Sequence, residues 1–407
     1  MGKLIINGGR SLSGTVVPHG SKNAVLPLIF ASLVIDGVSY LHGVPDITDV
    51  RIAVEIVRSQ GVLAEFRGSD LILDARNVKY KKPDRELMSS IRASAYLLGA
   101  SLARFGCFHF SEIGGCNFCD RPIDMHLYAA SVLGAYTEGD RLRTDRLRGG
   151  EIIFKKRSVG ATINALIMAS VADGITYIRG AADEPHVHQL IEFLLSAGAT
   201  VRRSADIIEV RGERLHGGEI TVIPDMIEAG TYLMIGAATQ GKVTVQGCDS
   251  LGLDSFFKPL ADAGVSVIYG DRGVTLCGVP YDELCVVTRA YPGYPTDLQP
   301  QIAPLMALGV GGTITETVWQ SRFSYLRALA RFGLRYEISG QSARIFPSRL
   351  ASAESYATDL RGGASAVICA LATKGESVIN EAHILSRGYA DFVKNIASLG
   401  ADIREGL

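Results

Sequence analysis

The sequence has no excess of charge of either sign. Its 407 residues include 41 lysines and arginines and 42 aspartates and glutamates, which gives a formal net charge of -1. A chain that binds nucleic acid or an anionic membrane through a basic surface usually carries a clear positive excess. We therefore expect neither nucleic acid nor a membrane among its partners.

Long apolar runs are also missing. The apolar run 24–35 is interrupted by a proline and falls short of the roughly 20 residues that a membrane-spanning helix needs. The N-terminal segment lacks the apolar core and cleavage site of a signal peptide. The seven cysteines are odd in number and irregularly spaced, which is typical of a reducing compartment. These features predict a cytoplasmic protein.

Clear metal motifs are scarce. Cys116 and Cys119 form a lone CxxC without a second pair of ligands. His186 and His188 are two residues apart, so they would not share one face of a helix. Both pairs remain weak alternatives, and we predict no metal site.

One set of apolar segments recurs six times, and each member ends at a glycine. The terminal glycines lie 64 to 70 residues apart. The segments are 24–37, 93–106, 161–174, 229–241, 302–311 and 364–375. They are long enough for helices, carry little charge, and end in the residue that favours the left-handed conformation closing a helix. The pattern predicts six buried helices.

A second set of amphipathic segments alternates with the first. Its closing glycines lie 64 to 73 residues apart. The segments are 50–61, 123–134, 186–198, 253–264, 323–333 and 389–400. In most copies short β-like runs follow, such as 200–203 and 207–211. The two sets together indicate a unit of strand, helix, strand, helix, strand and strand.

Six such units predict an α/β chain of two domains with three repeats each. One unit alone would leave its apolar helix exposed, whereas three units around an axis bury three helices under their sheets. The last repeat lacks a closing strand, which the N-terminal strand 3–7 can supply. We therefore assign 1–21 with 224–407 to domain I and 22–223 to domain II.

Basic residues precede several of the predicted buried helices. Lys22, Arg92 and Arg361 stand near helix starts, where unpaired N–H groups and the helix dipole favour anions. Arg121 and Arg387 stand at the starts of amphipathic segments in the same way. Arginine binds phosphate or carboxylate through two hydrogen bonds. Each residue read singly is equally compatible with a surface charge or an ion-pair partner, but the recurrence favours an anion site.

A glycine-rich loop carries the cysteine of greatest interest. Gly114 and Gly115 precede Cys116 and predict a mobile loop. Nearby cations would lower the pKa of a cysteine thiol and make it reactive. For the cysteines on apolar runs, a buried and inert thiol is the better interpretation.

At these residues the sequence resembles the UDP-N-acetylglucosamine enolpyruvyl transferases of the EPSP synthase-like superfamily, over effectively the whole chain. The segments that carry the resemblance are Gly20-Ser21-Lys22-Asn23-Ala24, Arg92-Ala93-Ser94, Gly114-Gly115-Cys116, Arg121-Pro122-Ile123-Asp124-Met125-His126, Ser158-Val159-Gly160, Pro295-Thr296-Asp297, Ser321-Arg322-Phe323, Asp359-Leu360-Arg361 and Ser386-Arg387-Gly388. The resemblance implies two inside-out α/β barrels, each of three βαβαββ repeats. The loop cysteine and the Arg-Pro-Ile-Asp segment argue against EPSP synthase itself.

The resemblance also implies transfer of the enolpyruvyl group of phosphoenolpyruvate to the sugar 3-hydroxyl, the first committed step of peptidoglycan synthesis, without a cofactor. The residues expected to bind phosphoenolpyruvate and its phosphate are Lys22, Arg92, Arg121, Arg361 and Arg387. Asp297 is implied as the base and Asn23 as a sugar ligand. Cys116 is implied as the loop cysteine that fosfomycin alkylates, acting as acid or in product release. The residues expected to hold the uridine diphosphate are Arg121, Pro122, Ile123, Asp124, Met125, Ser158, Val159, Gly160 and Val318.

Three residues depart from the family pattern and leave alternatives open. Cys119 and Asp120 stand where small residues are usual, and Met226 stands where an arginine is common. A transferase with another nucleotide acceptor, or a catalytically silent binding paralogue, would fit these departures. The sequence does not indicate an oligomeric state.

Overall fold

The structure is a computed structural model. It describes residues 2–110, 122–204, 206–248, 251–319 and 322–406. None of the helices in these ranges combines the length and the apolar character that a membrane span needs.

The strands of the described residues are short. In chain order they are β1 (Lys3–Gly8), β2 (Ser13–Val16), β3 (Val38–His42), β4 (Leu63–Arg67), β5 (Asp70–Asp74), β6 (Cys107–His109), β7 (Tyr136–Glu138), β8 (Arg141–Arg143), β9 (Glu151–Ile153), β10 (Ile175–Arg179), β11 (Thr200–Ser204), β12 (Ile207–Arg211), β13 (Gly218–Thr221), β14 (Lys242–Val245), β15 (Ser266–Gly270), β16 (Gly273–Cys277), β17 (Leu284–Val287), β18 (Gly312–Thr315), β19 (Arg335–Ser339), β20 (Ser342–Phe346), β21 (Glu354–Tyr356), β22 (Gly375–Asn380) and β23 (Asp402–Gly406).

The helices alternate with these strands. They are α1 (Lys22–Ala31), α2 (Thr48–Ser59), α3 (Arg85–Ser90), α4 (Tyr96–Phe105), α5 (Asp124–Val132), α6 (Val159–Ala169), α7 (Pro185–Ser196), α8 (Met226–Ala238), α9 (Asp254–Asp262), α10 (Gln299–Leu308), α11 (Leu326–Leu329), α12 (Leu360–Ala372) and α13 (Phe392–Ser398).

The chain divides into two compact units. Unit 1 contains residues 2–19 and 224–406, and unit 2 contains residues 20–110 and 122–223, within the described ranges. Unit 1 is therefore built from both ends of the chain, and unit 2 from its middle.

One sheet pattern recurs through both units. In the sheet β9-β10-β12-β11, for example, β9 and β10 are parallel while the remaining neighbours are antiparallel. The order of elements along the chain there is β9, α6, β10, α7, β11 and β12, which is the predicted βαβαββ unit. The other four-stranded sheets are β13-β3-β5-β4, β2-β14-β16-β15, β17-β18-β20-β19 and β21-β22-β1-β23.

The N-terminal strand completes the last repeat, as the missing closing strand predicted. β1 lies between β22 and β23 and is antiparallel to both. Leu4 and Ile6 on this strand are buried in the core of unit 1. The first residues of the chain therefore contribute directly to the packing of its last repeat.

The second repeat of unit 2 differs from the others. Its sheet, β6-β8-β7, has three strands in the described part of the chain. The segment before α4, where an edge strand stands in the other repeats, instead contains the short helix α3. Tyr80 in this segment stacks on His109 of β6 and hydrogen-bonds its Nδ1 atom.

The recurrent apolar helices form the cores of the two units. In unit 1, α8, α10 and α12 pack against one another, and every residue of α8 from Ile227 to Ala238 is buried. In unit 2, α4 packs on both α1 and α6. A helix buried around its whole circumference needs apolar residues on every face, which explains why these segments show little amphipathic periodicity.

The terminal glycines fill two different structural roles. Gly106 ends α4 in the left-handed conformation, with a φ of 68°, as predicted. Gly241 does not, because Gln240 takes the positive φ after α8. A Cβ atom at Gly241 would lie 1.8 Å from the Leu12 carbonyl oxygen, so this glycine permits a close backbone approach.

Candidate active site

Lys22 of unit 2 is held by a buried carboxylate. It is the first residue of α1, and its Nζ atom lies 2.6 Å from Oδ2 of Asp49 in the first turn of α2. The Lys22 side chain is 14% exposed and that of Asp49 is 4% exposed. The packing of α1 on α2 brings the two together. The ammonium group is therefore fixed at the tip of a core helix, next to the half-buried Asn23.

Arg92 and Ser158 lie at the starts of the other two core helices of unit 2. Arg92 begins the 3-10 turn Arg92–Ala95 that leads into α4. Ser158 caps α6, and its Oγ atom accepts a hydrogen bond of 3.4 Å from the Ala161 N–H. Val159 and Gly160 form the half-buried first turn of this helix.

The segment before α5 presents residues of mixed exposure. Pro122 and Asp124 are exposed, whereas Ile123 and Met125 are half-buried. Asp124 begins α5, so its carboxylate lies at the positive end of the helix dipole.

His126 anchors α5 to the core of unit 2. The Asn164 amide nitrogen lies 2.7 Å from the His126 Nδ1 atom, and it also donates to the Ala95 carbonyl at 2.9 Å. Burial, with a contribution from the Arg92 charge, lowers the pKa of His126 from 6.5 to about 4. The imidazole is therefore neutral at physiological pH.

Asp297 of unit 1 contacts two buried arginines. It lies in the 3-10 turn Thr296–Leu298 that precedes α10. Its Oδ1 atom is 2.8 Å from Arg322 Nη2, and its Oδ2 atom is 3.2 Å from Arg361 Nη2. The arginine side chains are only 6% and 4% exposed, whereas that of Asp297 is 29% exposed. The arrangement orients a carboxylate that stays partly accessible from the surface of unit 1.

Arg361 also contacts an aromatic ring. Its guanidinium carbon lies 5.4 Å from the centre of the Tyr389 ring, a cation–π contact. The Tyr389 hydroxyl lies 3.0 Å from Thr231 Oγ1 and 3.4 Å from Gln301 Nε2. Residues of α8 and α10 therefore support the ring beneath the guanidinium.

Two helix tips of unit 1 are already capped by carboxylates. Asp225 Oδ1 accepts from the Ile227 and Glu228 N–H groups at the start of α8. Asp359 Oδ1 accepts from the N–H groups of Arg361 and Gly362 at the start of α12. These N–H groups are therefore occupied by carboxylates of the chain itself.

The remaining predicted residues lie at the ends of other elements. Arg387 is half-buried at the end of the 3-10 turn Ala382–Arg387, and Val318 is exposed after β18. Met226, one of the departures from the family pattern, packs against the core of unit 1. Cys116 and Arg121, with Cys119 and Asp120, lie outside the described residues.

Asp49 is a member of these clusters that the sequence analysis did not name. Asp49 is an acidic residue in a helix's first turn, which is common on protein surfaces, and only the fold shows its contact with Lys22. Arg322 stands in the segment Ser321-Arg322-Phe323 that carries the family resemblance, but no role was predicted for it.

Comparison with known proteins gives consistent matches over the full length. The family model of EPSP synthase (3-phosphoshikimate 1-carboxyvinyltransferase) matches residues 6–396. UDP-N-acetylglucosamine 1-carboxyvinyltransferase 2 of Caldanaerobacter subterraneus subsp. tengcongensis is 39% identical, over 99% of this chain and 99% of its own. The UDP-N-acetylglucosamine 1-carboxyvinyltransferase of Halothermothrix orenii is 38% identical over 100% of both chains.

Solved structures share the fold. The crystal structure of the enolpyruvyl transferase NikO from Streptomyces tendae has a TM-score of 0.89 at 28% identity, covering 99% of this chain and 98% of that one. EPSP synthase from Acinetobacter baumannii has a TM-score of 0.75 at 16% identity over 100% of both chains, which is a likeness of fold.

The fold is that of the enolpyruvyl transferases, and the predicted fold class is confirmed. The chain belongs to the EPSP synthase family and, within it, to the UDP-N-acetylglucosamine 1-carboxyvinyltransferases.

Proposed function

We propose that this chain transfers the enolpyruvyl group of phosphoenolpyruvate to the 3-hydroxyl of UDP-N-acetylglucosamine and releases phosphate. The observation that carries the proposal is identity of 36% to 40%, over at least 98% of this chain, to relatives of that name. The reducing compartment that the cysteine pattern indicates supports a cytoplasmic location. The reaction would be the first committed step of peptidoglycan synthesis.

The reaction proceeds by addition and elimination. The acceptor oxygen forms a bond to C2 of phosphoenolpyruvate while C3 gains a proton, which gives a tetrahedral ketal. The bond from C2 to the phosphate oxygen then breaks and C3 loses a proton, which leaves the enol ether and phosphate. These steps need a base at the hydroxyl, an acid at C3 and cations for the carboxylate and phosphate.

Asp297 has the properties of the base. Its side chain is 29% exposed, and both oxygens are oriented by arginine N–H groups. An oxygen fixed in this way can take the proton of the acceptor hydroxyl without first reorganising. Arg361 would in addition place positive charge near the ketal that forms.

Lys22 and the other cations would bind phosphoenolpyruvate and the departing phosphate. The Asp49 carboxylate holds the Lys22 ammonium in one position, so its charge is preorganised. Asn23 would bond the sugar, and Arg92, Arg121 and Arg387 would complete the cation set. Cys116 would act as the acid at C3 or in product release. The residues proposed for the uridine diphosphate are Arg121, Pro122, Ile123, Asp124, Met125, Ser158, Val159, Gly160 and Val318.

Met226 favours one alternative, a transferase with a different nucleotide acceptor. The family commonly has an arginine at this position, and Met226 instead packs against apolar residues. Loss of that charge removes one potential partner of a phosphate or carboxylate.

A phosphate-release assay with phosphoenolpyruvate tests the proposal. Release that depends on UDP-N-acetylglucosamine supports it. Release only with other nucleotide acceptors would instead support the alternative. Binding of both ligands without release would indicate a catalytically silent paralogue and would refute both transferase functions.

A further inference from the structure

Glu316 is a buried carboxylate that accepts four hydrogen bonds. It follows β18 directly and is 1% exposed. Its Oε1 atom accepts from Thr288 Oγ1 at 2.8 Å, from the Val318 N–H at 2.8 Å and from the Trp319 N–H at 3.0 Å. Its Oε2 atom accepts from Thr296 Oγ1 at 2.7 Å. A buried carboxylate is tolerated when its oxygens are satisfied in this way.

The bond to Thr296 fixes the direction of a chain of hydrogen bonds. A threonine hydroxyl has one hydrogen, and here that hydrogen points to Glu316 Oε2. The Thr296 oxygen can then only accept from Arg322 Nη1, which lies 2.9 Å away. Arg322 Nη2 contacts Asp297 Oδ1 at 2.8 Å. The chain therefore runs in one direction: Thr296 donates to Glu316, and Arg322 donates to Thr296 while it contacts Asp297, the residue that we propose as the base.

We propose that Glu316 is a positioning residue for enolpyruvyl transfer. Its Oε2 atom accepts the hydroxyl hydrogen bond of Thr296, so that the Thr296 oxygen is left to accept from Arg322. This bond directs the Arg322 guanidinium at Asp297. The other oxygen of Glu316 fixes the backbone at Val318, in the segment proposed to hold the nucleotide. One buried side chain thus orients the base through Oε2 and the nucleotide segment through Oε1. This inference rests on the proposed function.

The substitution Glu316→Gln separates the two oxygens. Three donors surround Oε1, so the amide oxygen should occupy that position and the amide nitrogen should face Thr296. The nitrogen then competes with Arg322 for the Thr296 oxygen, and the hydroxyl hydrogen loses its acceptor. We expect kcat to fall about tenfold, the effect of one lost hydrogen bond. KM for UDP-N-acetylglucosamine should stay within about twofold, because the Val318 bond remains.

Substitutions of Thr296 test the same chain from its next member. Thr296→Val removes the hydroxyl and should lower kcat about tenfold, whereas Thr296→Ser keeps it and should retain activity within about twofold. The double variant Glu316→Gln/Thr296→Val should be no slower than either single variant, because both break one chain. The matched control is Thr244→Val, whose hydroxyl pairs with Thr275 at 2.9 Å between β14 and β16. This variant should keep the kcat of the unmodified chain.

Phosphate release is measured for all variants with phosphoenolpyruvate and UDP-N-acetylglucosamine. An unmodified chain that releases no phosphate overturns the proposed function itself. If the unmodified chain is active, a Glu316→Gln kcat within twofold of it overturns the positioning role. A change confined to KM, or additive losses in the double variant, overturns it as well. If Glu316→Gln fails to fold by circular dichroism, the comparison of Thr296→Ser with Thr296→Val decides.

Discussion

Protonation of His126 should destabilise the folded chain at mildly acidic pH. Asn164 Oδ1 accepts from the Gly99 N–H at 2.7 Å, so the amide nitrogen of Asn164 is the group that faces His126 Nδ1. That nitrogen donates, so Nδ1 must accept and the single imidazole proton lies on Nε2. A second proton would face the Asn164 N–H group inside the core, and burial and the Arg92 charge also oppose it.

The size of the effect follows from the two pKa values. The pKa of His126 is about 4 in the folded chain and about 6.5 when unfolded. As pH falls, the unfolded chain binds the proton first, so stability is complete above about pH 6.5 and is lost down to about pH 4. At pH 5 the loss is about 2 kcal/mol, and it approaches about 3 kcal/mol below pH 4.

Urea denaturation at pH 8 and pH 5 measures the loss when the unmodified chain is compared with His126→Gln. The glutamine cannot titrate, and its amide oxygen can accept from Asn164. Between pH 8 and pH 5 the free energy of unfolding should fall in both proteins. The fall should be about 2 kcal/mol smaller in this variant than in the unmodified chain. Other titrating groups contribute equally to both proteins and cancel in the difference.

An NMR titration of the histidines measures the pKa of His126 directly. The resonance that His126→Gln removes should stay unchanged from pH 8 to pH 5 and should begin to shift only near pH 4. A resonance that titrates at or above pH 6.5 would refute the assignment of a buried, neutral imidazole. An equal pH dependence of unfolding in the two proteins would refute it as well.

Three further perturbations test other parts of the structure. Lys22→Ala should lower kcat/KM by about 100-fold or more, because it removes a preorganised cation. Adding Asp49→Asn should recover stability but not phosphate release, and normal turnover of Lys22→Ala would exclude Lys22 from the site. Ile6→Ala should reduce the stability of unit 1 by about 2 to 5 kcal/mol, because Ile6 is buried on β1 between β22 and β23. Fluorescence of Trp319 during denaturation should report this loss, and an unchanged midpoint would contradict the packing of β1. Fosfomycin should add its mass at Cys116, and mass spectrometry that finds the label on another cysteine would argue against the assigned loop role.

The repeat architecture could be predicted because it depends on patterns that the chain carries locally. Each buried helix needs apolar residues around its whole circumference, and such an apolar segment recurs at a nearly constant distance along the chain. The closing role of β1 followed from counting strands in the last repeat. The altered second repeat of unit 2 could not be predicted in this way. Its helix α3 replaces the edge strand of the other copies, and contacts such as the Tyr80–His109 stack, which the repeat pattern does not specify, hold this segment.

The side-chain partners of the proposed site residues were harder to predict than the positions of those residues at helix starts. Lys22, Asp297 and Arg361 stand at helix starts, which the sequence marks. Their partners lie far along the chain: Asp49 follows Lys22 by 27 residues and Arg322 follows Asp297 by 25, in each case within one repeat. Arg361 follows Asp297 by 64 residues and belongs to the next repeat. Spacing along one helix or strand cannot specify such a contact, and only the packing of separate elements, within a repeat or between neighbouring repeats, brings the groups together.

The same distinction explains why no role could be predicted for Glu316, although its segment Ile314-Thr315-Glu316-Thr317 also resembles the family. Asp297 stands at the beginning of a core helix, where a charge has an evident use. Glu316 follows a strand and would be expected to point to solvent, because an unpaired carboxylate is costly to bury. It is buried because residues from three separate segments, Thr288, Thr296 and the 318–319 backbone, donate to it. A buried acid without a cation among its hydrogen-bond donors therefore indicates a site that must hold several segments in register, and the coupling between Glu316 and Thr296 measures how strongly catalysis depends on that register.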